Sequence, residues 1–310
     1  MQIYIHTPFN KTNQTELLTK FSDKATLVFG NELTKENAFE GFKNANIILG
    51  NPPASWFENE LPNLRLWQLD SAGFDGYKHL KLNVPVCNLK DYFSIPCAET
   101  IVAGILAFYR KIDELTHLKS KNQWVGASIR QSLNVLSHKR VVILGAGGIG
   151  QAVKKILFGF DCQISMMARS NPDATIFTIQ ELMDILPNTD LVINCLPGTA
   201  RGFFTAKMID KLPENAIFAN IGRGSTVDEN ALIEALQNKK IAGAVLDVTE
   251  IEPLPVENFL WNMENVILTQ HSGGGQMSEE DGKLKAYIEN VGRFLNNEPL
   301  LNLIDLERGY

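Results

Sequence analysis

The sequence predicts an α/β fold with two doubly wound domains and a cleft between them, and three observations lead to this prediction. Short apolar strands alternate with helical segments in two separate series. The length of 310 residues exceeds what a single hydrophobic core usually serves. A glycine-rich turn directly follows the first strand of the second series. We therefore expect one sheet in each of two lobes.

The first series begins at the N-terminus. We predict strands over residues 2–6, 25–29, 46–49, 64–69 and 84–86, with helices over 16–21 and 36–43. A helix over residues 278–295 is expected to return to this lobe, because the tail after it has no core of its own to join. The predicted first domain is therefore discontinuous and comprises residues 1–96 and 283–310.

The second series follows a long helix predicted from Ala98 to about Leu118 and an irregular segment around Trp124. Its predicted strands cover residues 140–144, 163–167, 190–194, 216–220, 242–246 and 265–269. Strands in this number, with helices between them, are what a dinucleotide-binding Rossmann fold requires. The predicted second domain covers residues 97–282, and its segment 98–138 supplies a helix and arm for dimerisation.

Composition narrows the range of partners and compartments. The net charge of −6, without a stripe of Lys or Arg, argues against nucleic-acid and anionic-membrane partners. The apolar run 101–109 is too short to span a bilayer. Cys87, Cys97, Cys162 and Cys195 are scattered without a CxxC pair, which favours reduced thiols in the cytoplasm. No spacing typical of a metal site is present, so we expect no metal.

The glycine turn is the first functional signal. Gly145, Gly147 and Gly150 fit GxGxxG between an apolar strand and a helix predicted over residues 151–160. In that context the first glycine allows a tight turn, the second lets a pyrophosphate approach, and the third permits close packing of the helix. The N–H groups around Gly148 and Ile149 would bind the anion. A structural turn without ligand is the alternative, and the spacing of the three glycines argues against it.

The end of the next strand indicates which dinucleotide binds. NAD-binding versions place a carboxylate about 20 residues beyond the glycines, where it accepts hydrogen bonds from the ribose. This chain has Ala168, Arg169 and Ser170 there. Ala168 removes a charge that would repel a 2′-phosphate, and Arg169 offers a fork of donors. The site therefore predicts NADP(H) in preference to NAD(H), although a solvated surface arginine is the alternative.

Three further segments carry a resemblance to a known family. "NIGRGSTVDENALIEAL" (220–236), "AGAVLDVTEIEPLP" (242–255) and "WNMENVILTQHSGG" (261–274) resemble the catalytic segments of the D-isomer-specific 2-hydroxyacid dehydrogenases. The likeness extends to "SAGFD" (71–75) and "CAETIVAGILA" (97–107), and the ending "NLIDLERGY" is most similar to the glyoxylate/hydroxypyruvate reductase branch. The resemblance implies that Arg223, Glu252 and His271 are catalytic. One departure is Gln270, where the family usually has proline.

The residues themselves suit the same chemistry. Arg223, Glu252 and His271 each follow a predicted strand, at the carboxyl edge where doubly wound sheets bind ligands. Reduction of a 2-oxo acid needs a hydride, a proton for the oxygen and a cation for the carboxylate. His271 would be the acid, Glu252 would orient it, and Arg223 would bind the substrate's oxygens. Backbone N–H groups of Ala72 and Gly73 could bind the carboxylate as well, so we expect the first domain to be a flavodoxin-like substrate-binding domain.

The remaining residue assignments are of two kinds. Further cofactor contacts are expected at Leu196, Pro197, Thr199, Ile221, Gly222, Asp247 and Gly273. Cys195 is interpreted as a small residue beside the cofactor, because no base is assigned to it. The other histidines, including His6 at the end of the first strand, are expected to be structural.

The predicted function is NADP(H)-dependent reduction of small 2-oxo acids, such as glyoxylate or hydroxypyruvate, to D-2-hydroxy acids. Two alternatives stay open: a non-catalytic NADP(H)-binding sensor or corepressor, and a dehydrogenase of the same fold with another substrate, such as an amino acid. The resemblance also implies a homodimer, with a contact that includes Trp124 and the helix from Ala98 to Leu118.

Overall fold

The computed structural model describes residues 1–307 of the protein. Residues 308–310, which end the predicted first domain and the segment "NLIDLERGY", lie outside the described residues. Contacts divide the chain into two compact units: Met1–Phe93 together with the segment from Gln276 onward, and Ser94–Gly275. The assignment of substrate binding to the first unit and nucleotide binding to the second remains a prediction.

The first unit begins with five short strands and two helices. They are β1 (Gln2–Ile5), α1 (Lys11–Phe21), β2 (Thr26–Phe29), α2 (Lys35–Lys43), β3 (Ile47–Leu49), β4 (Leu66–Gln68) and β5 (Val86–Cys87). The side-chain oxygens of Asn10 and Thr34 accept hydrogen bonds from the first turns of α1 and α2, and so fix where these helices begin. The strands are apolar on both faces because helices and loops cover both sides of the sheet.

Among the described residues, the second unit contains six α-helices and six strands. The elements are α3 (Ser94–Arg110), α4 (Ile112–Ser120), β6 (Arg140–Leu144), α5 (Gly148–Phe158), β7 (Gln163–Met167), α6 (Ile179–Ile185), β8 (Leu191–Asn194), α7 (Ala206–Ile209), β9 (Ile217–Asn220), α8 (Glu229–Gln237), β10 (Gly243–Leu246) and β11 (Val266–Leu268). The sheet is parallel throughout, in the order β11-β10-β9-β8-β6-β7. This strand order confirms the predicted Rossmann-like sheet.

The last two elements return to the first unit. Helix α9 (Glu279–Leu295) packs on α1, and β12 (Leu303–Ile304) pairs antiparallel with β5. The first sheet therefore has the order β12-β5-β4-β3-β1-β2, in which every other pair is parallel. In this sheet the chain runs from β1 outward to β2 and then crosses back to β3, so the topological switch point lies between β1 and β3.

The predicted single helix from Ala98 to Leu118 is wrong. The structure has two helices, α3 and α4, separated at Lys111, whose φ of 51° is left-handed and ends the helical hydrogen bonding. Helix α3 buries Ile101, Val102 and Ile105, whereas α4 has no buried residue among those described. This break has no local sequence signal, because it contains neither glycine nor proline.

Strand β12 was not predicted. Its two residues are too few to show a period-two pattern, and it forms because β5 offers an edge for pairing. Within residues 1–307, no helix combines the length and apolar character needed to cross a bilayer.

Candidate active site

The glycine turn between β6 and α5 has the geometry of an anion-binding loop. Gly145 has a φ of 99°, and a Cβ on Gly150 would collide with the carbonyl oxygen of Gly145, so the fold itself requires both glycines. Gly147 differs, because a Cβ built there meets no heavy atom of the described chain within 4 Å. Nothing in the described fold explains why Gly147 lacks a side chain, whereas a ligand close to the backbone would explain it.

Two backbone N–H groups of this turn are available to bind an anion. Helix α5 begins at Gly148, and the N–H groups of Gly148 and Ile149 have no acceptor in the part of the chain that the structure describes. The Asn171 side chain donates to the carbonyl oxygen of Ala146 over 2.8 Å and so holds the loop from behind. The residues present therefore fit the pyrophosphate of a dinucleotide at a helix N-terminus.

Strand β7 lies beside β6 and ends at Met167, immediately before the predicted phosphate-binding residues. Arg169 and Ser170 are exposed, and Ala168 donates its N–H to the carbonyl oxygen of Ile176 over 3.1 Å. The carboxylate of Asp173 accepts a hydrogen bond of 3.0 Å from Gln151 in the first turns of α5. A cation and a hydroxyl thus occupy the position at which NAD-binding folds carry an acid.

His271 and Glu252 lie in hydrogen-bonding contact. The distance from His271 Nδ1 to Glu252 Oε2 is 2.6 Å, and Glu252 Oε1 accepts the N–H of Thr249 over 3.0 Å. An ionised carboxylate only accepts hydrogen bonds, so Nδ1 carries a hydrogen and donates it. The Nε2 atom of His271 is then the ring nitrogen that can exchange a proton with a substrate. The imidazole side chain is 49% exposed, which leaves it accessible.

The loop that bears His271 follows a backbone path that proline cannot adopt. Gln270 and His271 have φ values of 57° and 52°, whereas a proline ring fixes φ near about −65°. Asp247, only 5% exposed, holds this loop. Its carboxylate accepts from the Thr269 hydroxyl over 2.7 Å and from the N–H of Ser272 and of Gly273 over 3.1 Å each. Hydrogen bonds to the buried Asp247 carboxylate therefore hold this loop in a single conformation without a proline. The contact of Asp247 with the cofactor remains a prediction.

Arg223 follows β9 and is half-buried. Its Nη1 atom donates to the carbonyl oxygen of Gly222 over 2.8 Å. A Cβ on Gly224 would collide with the carbonyl group of Thr249, so the loops that bear Arg223 and Glu252 are in backbone contact. The fold thus places the loops that bear Arg223 and Glu252 side by side.

A buried polar network behind the Arg223 loop was missed in the sequence. Asn194, Asn220 and Thr226 are fully buried, and Asn194 Nδ2 donates to Asn220 Oδ1 over 3.1 Å and to Thr226 Oγ1 over 2.6 Å. Asn194 Oδ1 accepts the N–H of Leu196, and Asn220 Oδ1 accepts the N–H of Gly222 as a second hydrogen bond. The available signal was that the apolar strands β8 and β9 both end in asparagine. The network aligns the two loops that are predicted to contact the cofactor.

Glu229 is a second residue that the sequence reasoning missed. It is 8% exposed, and its Oε2 accepts the N–H of Glu250 over 2.7 Å. Burial raises the pKa of this carboxyl group, while the hydrogen bond from Glu250 lowers it. Glu229 therefore anchors the segment from Thr249 to Glu252 on α8.

The first unit presents backbone donors at the loop after β4. The carbonyl oxygens of Ser71, Ala72 and Gly73 accept hydrogen bonds from Leu89 N–H, the Asn88 amide and the Ser71 hydroxyl, respectively. The N–H groups of Ala72 and Gly73 have no acceptor among residues 1–307. A loop with satisfied carbonyls and available N–H groups is suited to bind a carboxylate.

Cys195 follows β8, next to the turn that contains Leu196, Pro197 and Thr199. Burial raises the pKa of the Cys195 thiol far above its usual range, and burial raises the pKa of Cys97 to about 11. Both groups are therefore thiols rather than thiolates near neutral pH. This supports the interpretation of Cys195 as a small packing residue.

Fold and site together define a class: an enzyme that uses a nicotinamide cofactor to transfer hydride. The protein-family model for the NAD binding domain of the D-isomer specific 2-hydroxyacid dehydrogenases matches residues 102–273. The chain therefore belongs to this family. The resemblance seen in the sequence is thereby confirmed.

Relatives and a solved structure agree with this membership. The chain is 35% identical to glyoxylate/hydroxypyruvate reductase B of Escherichia fergusonii over 83% of this chain and 84% of that protein. It is 29% identical to glyoxylate/hydroxypyruvate reductase A of Arabidopsis thaliana over 95% and 96% of the two chains. The solved D-isomer specific 2-hydroxyacid dehydrogenase from Xanthobacter autotrophicus, in complex with NADPH and MES, superposes with a TM-score of 0.80 at 27% identity and covers both chains completely.

Proposed function

We propose that the protein reduces small 2-oxo acids, of the glyoxylate and hydroxypyruvate type, to D-2-hydroxy acids with NADPH. The contact between His271 Nδ1 and Glu252 Oε2 carries the proposal, because it leaves Nε2 as an oriented proton donor. The names of the curated relatives support the substrate class. A sensor or corepressor would need no such pair of side chains.

Each residue has a defined role in this reaction. When bound, the reduced nicotinamide supplies a hydride to the carbonyl carbon. His271 donates a proton from Nε2 to the carbonyl oxygen, and Glu252 stabilises the imidazolium that precedes this transfer. Arg223 binds the carboxylate and the carbonyl oxygen with its planar fork of donors. The N–H groups of Ala72 and Gly73 bind the carboxylate.

The proposed cofactor is NADP(H) in preference to NAD(H). Its pyrophosphate would bind at the N–H groups of Gly148 and Ile149, and its 2′-phosphate at Arg169 and Ser170. The absence of a carboxylate at Ala168 supports this choice. The NADPH bound in the Xanthobacter autotrophicus structure supports it further. Because most cells keep their NADP(H) pool largely in the reduced form, we propose reduction of the 2-oxo acid as the physiological direction.

The function is tested by measuring the rate of NADPH oxidation with each acid of a panel. The panel contains glyoxylate, hydroxypyruvate and pyruvate, and pyruvate with ammonium as the reaction of an amino-acid dehydrogenase. Turnover with the oxo acids alone supports the proposal. Binding of NADPH without turnover on any of them would favour the sensor, and a strict requirement for ammonium would favour the amino-acid enzyme.

Arg169→Ala should selectively weaken the use of NADPH. Loss of a charge-assisted hydrogen bond costs about 1.5–3 kcal/mol, which is about 10- to 150-fold in kcat/KM. The rate with NADH should stay near that of the wild type. Arg65→Ala is the control, because Arg65 is an exposed arginine of the first unit that lies over the ring of Phe294. An equal loss with both cofactors would argue against the phosphate-binding role.

Gly147→Ala should fold normally and bind NADPH poorly. The added methyl group meets no described protein atom within 4 Å, so the free energy of unfolding should change by less than about 1 kcal/mol. It would occupy the space of the pyrophosphate and should raise the Kd for NADPH by about 5- to 150-fold. Thermal unfolding and fluorescence titration measure the two effects.

The control is Gly292→Ala in α9, which also adds a methyl group in open space. It should leave the Kd unchanged. Unaltered NADPH binding in Gly147→Ala would mean that the dinucleotide does not approach this loop.

We also propose a cytoplasmic homodimer. Trp124 is 96% exposed between the helices α3 and α4 and the strand β6, and a large exposed indole favours burial against a partner. All four cysteines are free thiols, in keeping with a reducing compartment. Trp124→Ser should shift the sedimentation equilibrium toward monomer. A wild-type monomer at micromolar concentration would refute the dimer.

A further inference from the structure

Polar side chains lie at the switch point of the first sheet. The loops after β1 and β3 meet there: the N–H of His6 donates to the carbonyl oxygen of Leu49 over 2.7 Å. Gly50 has a φ of 105°, and a Cβ on it would lie 2.8 Å from the backbone nitrogen of Thr7. In doubly wound sheets the carboxyl ends of the strands at the switch point are where ligands bind. His6 and Asn51 stand at this point of the sheet.

The His6 ring is held in one orientation. Its Nδ1 atom lies 3.2 Å from the hydroxyl of Tyr4, and its ring packs edge-on against Trp56 with 5.7 Å between centroids. Tyr4 is fully buried, and burial raises the pKa of its hydroxyl to about 12, so the hydroxyl keeps its proton and must donate it. Within residues 1–307, His6 Nδ1 is the hydrogen-bond acceptor that the structure shows for the Tyr4 hydroxyl.

This contact determines which nitrogen of His6 carries hydrogen. Because Nδ1 accepts from Tyr4, the neutral ring has its hydrogen on Nε2. Burial lowers the pKa of His6, although the negative charge of Asp70 raises it. The Nε2 atom has no hydrogen-bond partner in the described part of the chain. His6 therefore presents one fixed, unused N–H donor at the switch point.

The surroundings select the kind of oxygen that this donor can bind. Asn51 and Asp70 are tied together, since Asp70 N–H donates to Asn51 Oδ1 over 3.1 Å, and the Asp70 carboxylate accepts from the Thr7 hydroxyl over 2.9 Å. A second carboxylate on the substrate would be repelled by Asp70. A neutral hydroxyl oxygen would not be repelled.

We propose that His6 is a specificity-determining residue that donates from Nε2 to a hydroxyl on the carbon chain of the 2-oxo acid. The inference rests on the proposed function and deepens it: the enzyme favours 2-oxo acids that carry a hydroxyl next to the carbonyl carbon. His6 takes no part in proton transfer, which belongs to His271. It acts on the substituent that distinguishes one 2-oxo acid from another.

The test compares three substrates in each variant, with NADPH in saturating amount. Hydroxypyruvate carries the hydroxyl, pyruvate has the same carbon chain without it, and glyoxylate has no substituent. His6→Asn places an amide near Nδ1 but leaves nothing at Nε2, whereas the longer amide of His6→Gln can still donate near Nε2. His79→Asn is the control, since His79 is exposed in the same unit.

His6→Asn should lower the ratio of kcat/KM for hydroxypyruvate to that for pyruvate by about 3- to 10-fold, the value of one hydrogen bond. His6→Gln should recover part of the ratio, and His79→Asn should leave it unchanged. Because each ratio is taken within one preparation, it does not depend on the fraction of folded enzyme. An equal loss on all three substrates, or an unchanged ratio, would overturn the role of His6 alone. A wild type that reduces none of them would overturn the proposed function together with it.

Discussion

His271→Ala should lower kcat for 2-oxo acid reduction by about 10²–10⁴-fold, the range that a general acid contributes. The reason is the contact between Nδ1 and Glu252 Oε2 at 2.6 Å, which commits one ring nitrogen and leaves Nε2 to donate the proton. Stopped-flow measurement of NADPH oxidation at saturating substrate gives the rate of the chemical step.

The affinity for NADPH is the internal control, because the glycine turn and Arg169 lie on other loops. His117→Ala removes an exposed histidine of the same unit and should have no effect on kcat. If His271→Ala retains a wild-type rate with NADPH binding intact, the proton comes from another group and the assigned role of His271 is wrong.

Arg223→Gln should lower kcat/KM by about 10²–10³-fold, the scale seen when a donor to a developing oxyanion is removed. The planar fork of arginine binds two oxygens at once, whereas the ammonium of lysine acts as a point charge. Arg223→Lys should therefore recover only part of the loss, with KM still raised and kcat still lowered.

The control for this pair is Arg293→Gln, which removes a half-buried arginine of α9 that is paired with Glu289. A full recovery of activity by Arg223→Lys would show that charge alone suffices at this position. Normal kcat/KM in Arg223→Gln would remove Arg223 from the proposed site.

The strands and the glycine turn could be predicted because local sequence determines them. Runs such as RVVIL and IFAN are apolar throughout, since parallel strands are covered on both faces, and they match β6 and β9. Gly145 and Gly150 fill positions where the fold admits no Cβ or requires a positive φ. The positions of Arg223, Glu252 and His271 after strands follow from the same alternation.

The remaining features depend on contacts between distant parts of the chain. The break at Lys111 and the pairing of β12 have no local signal, because packing and an available sheet edge produce them. The left-handed backbone at Gln270 is held by Asp247, which lies on the other side of β11 in sequence. Asn194 and Asn220 have the pattern of ordinary strand ends, and only the fold brings Asn194 into contact with both Asn220 and Thr226.

The central claim is that this chain transfers hydride from NADPH to C2 of a 2-oxo acid and protonates the oxygen from His271. The most direct measurement incubates the enzyme with hydroxypyruvate and NADPH that carries deuterium at the transferable C4 position, and analyses the product by mass spectrometry and chiral chromatography. We expect one deuterium at C2 of the D-2-hydroxy acid for each NADPH oxidised. NADPH consumed without a deuterated hydroxy acid, or a product of L configuration, would contradict the account.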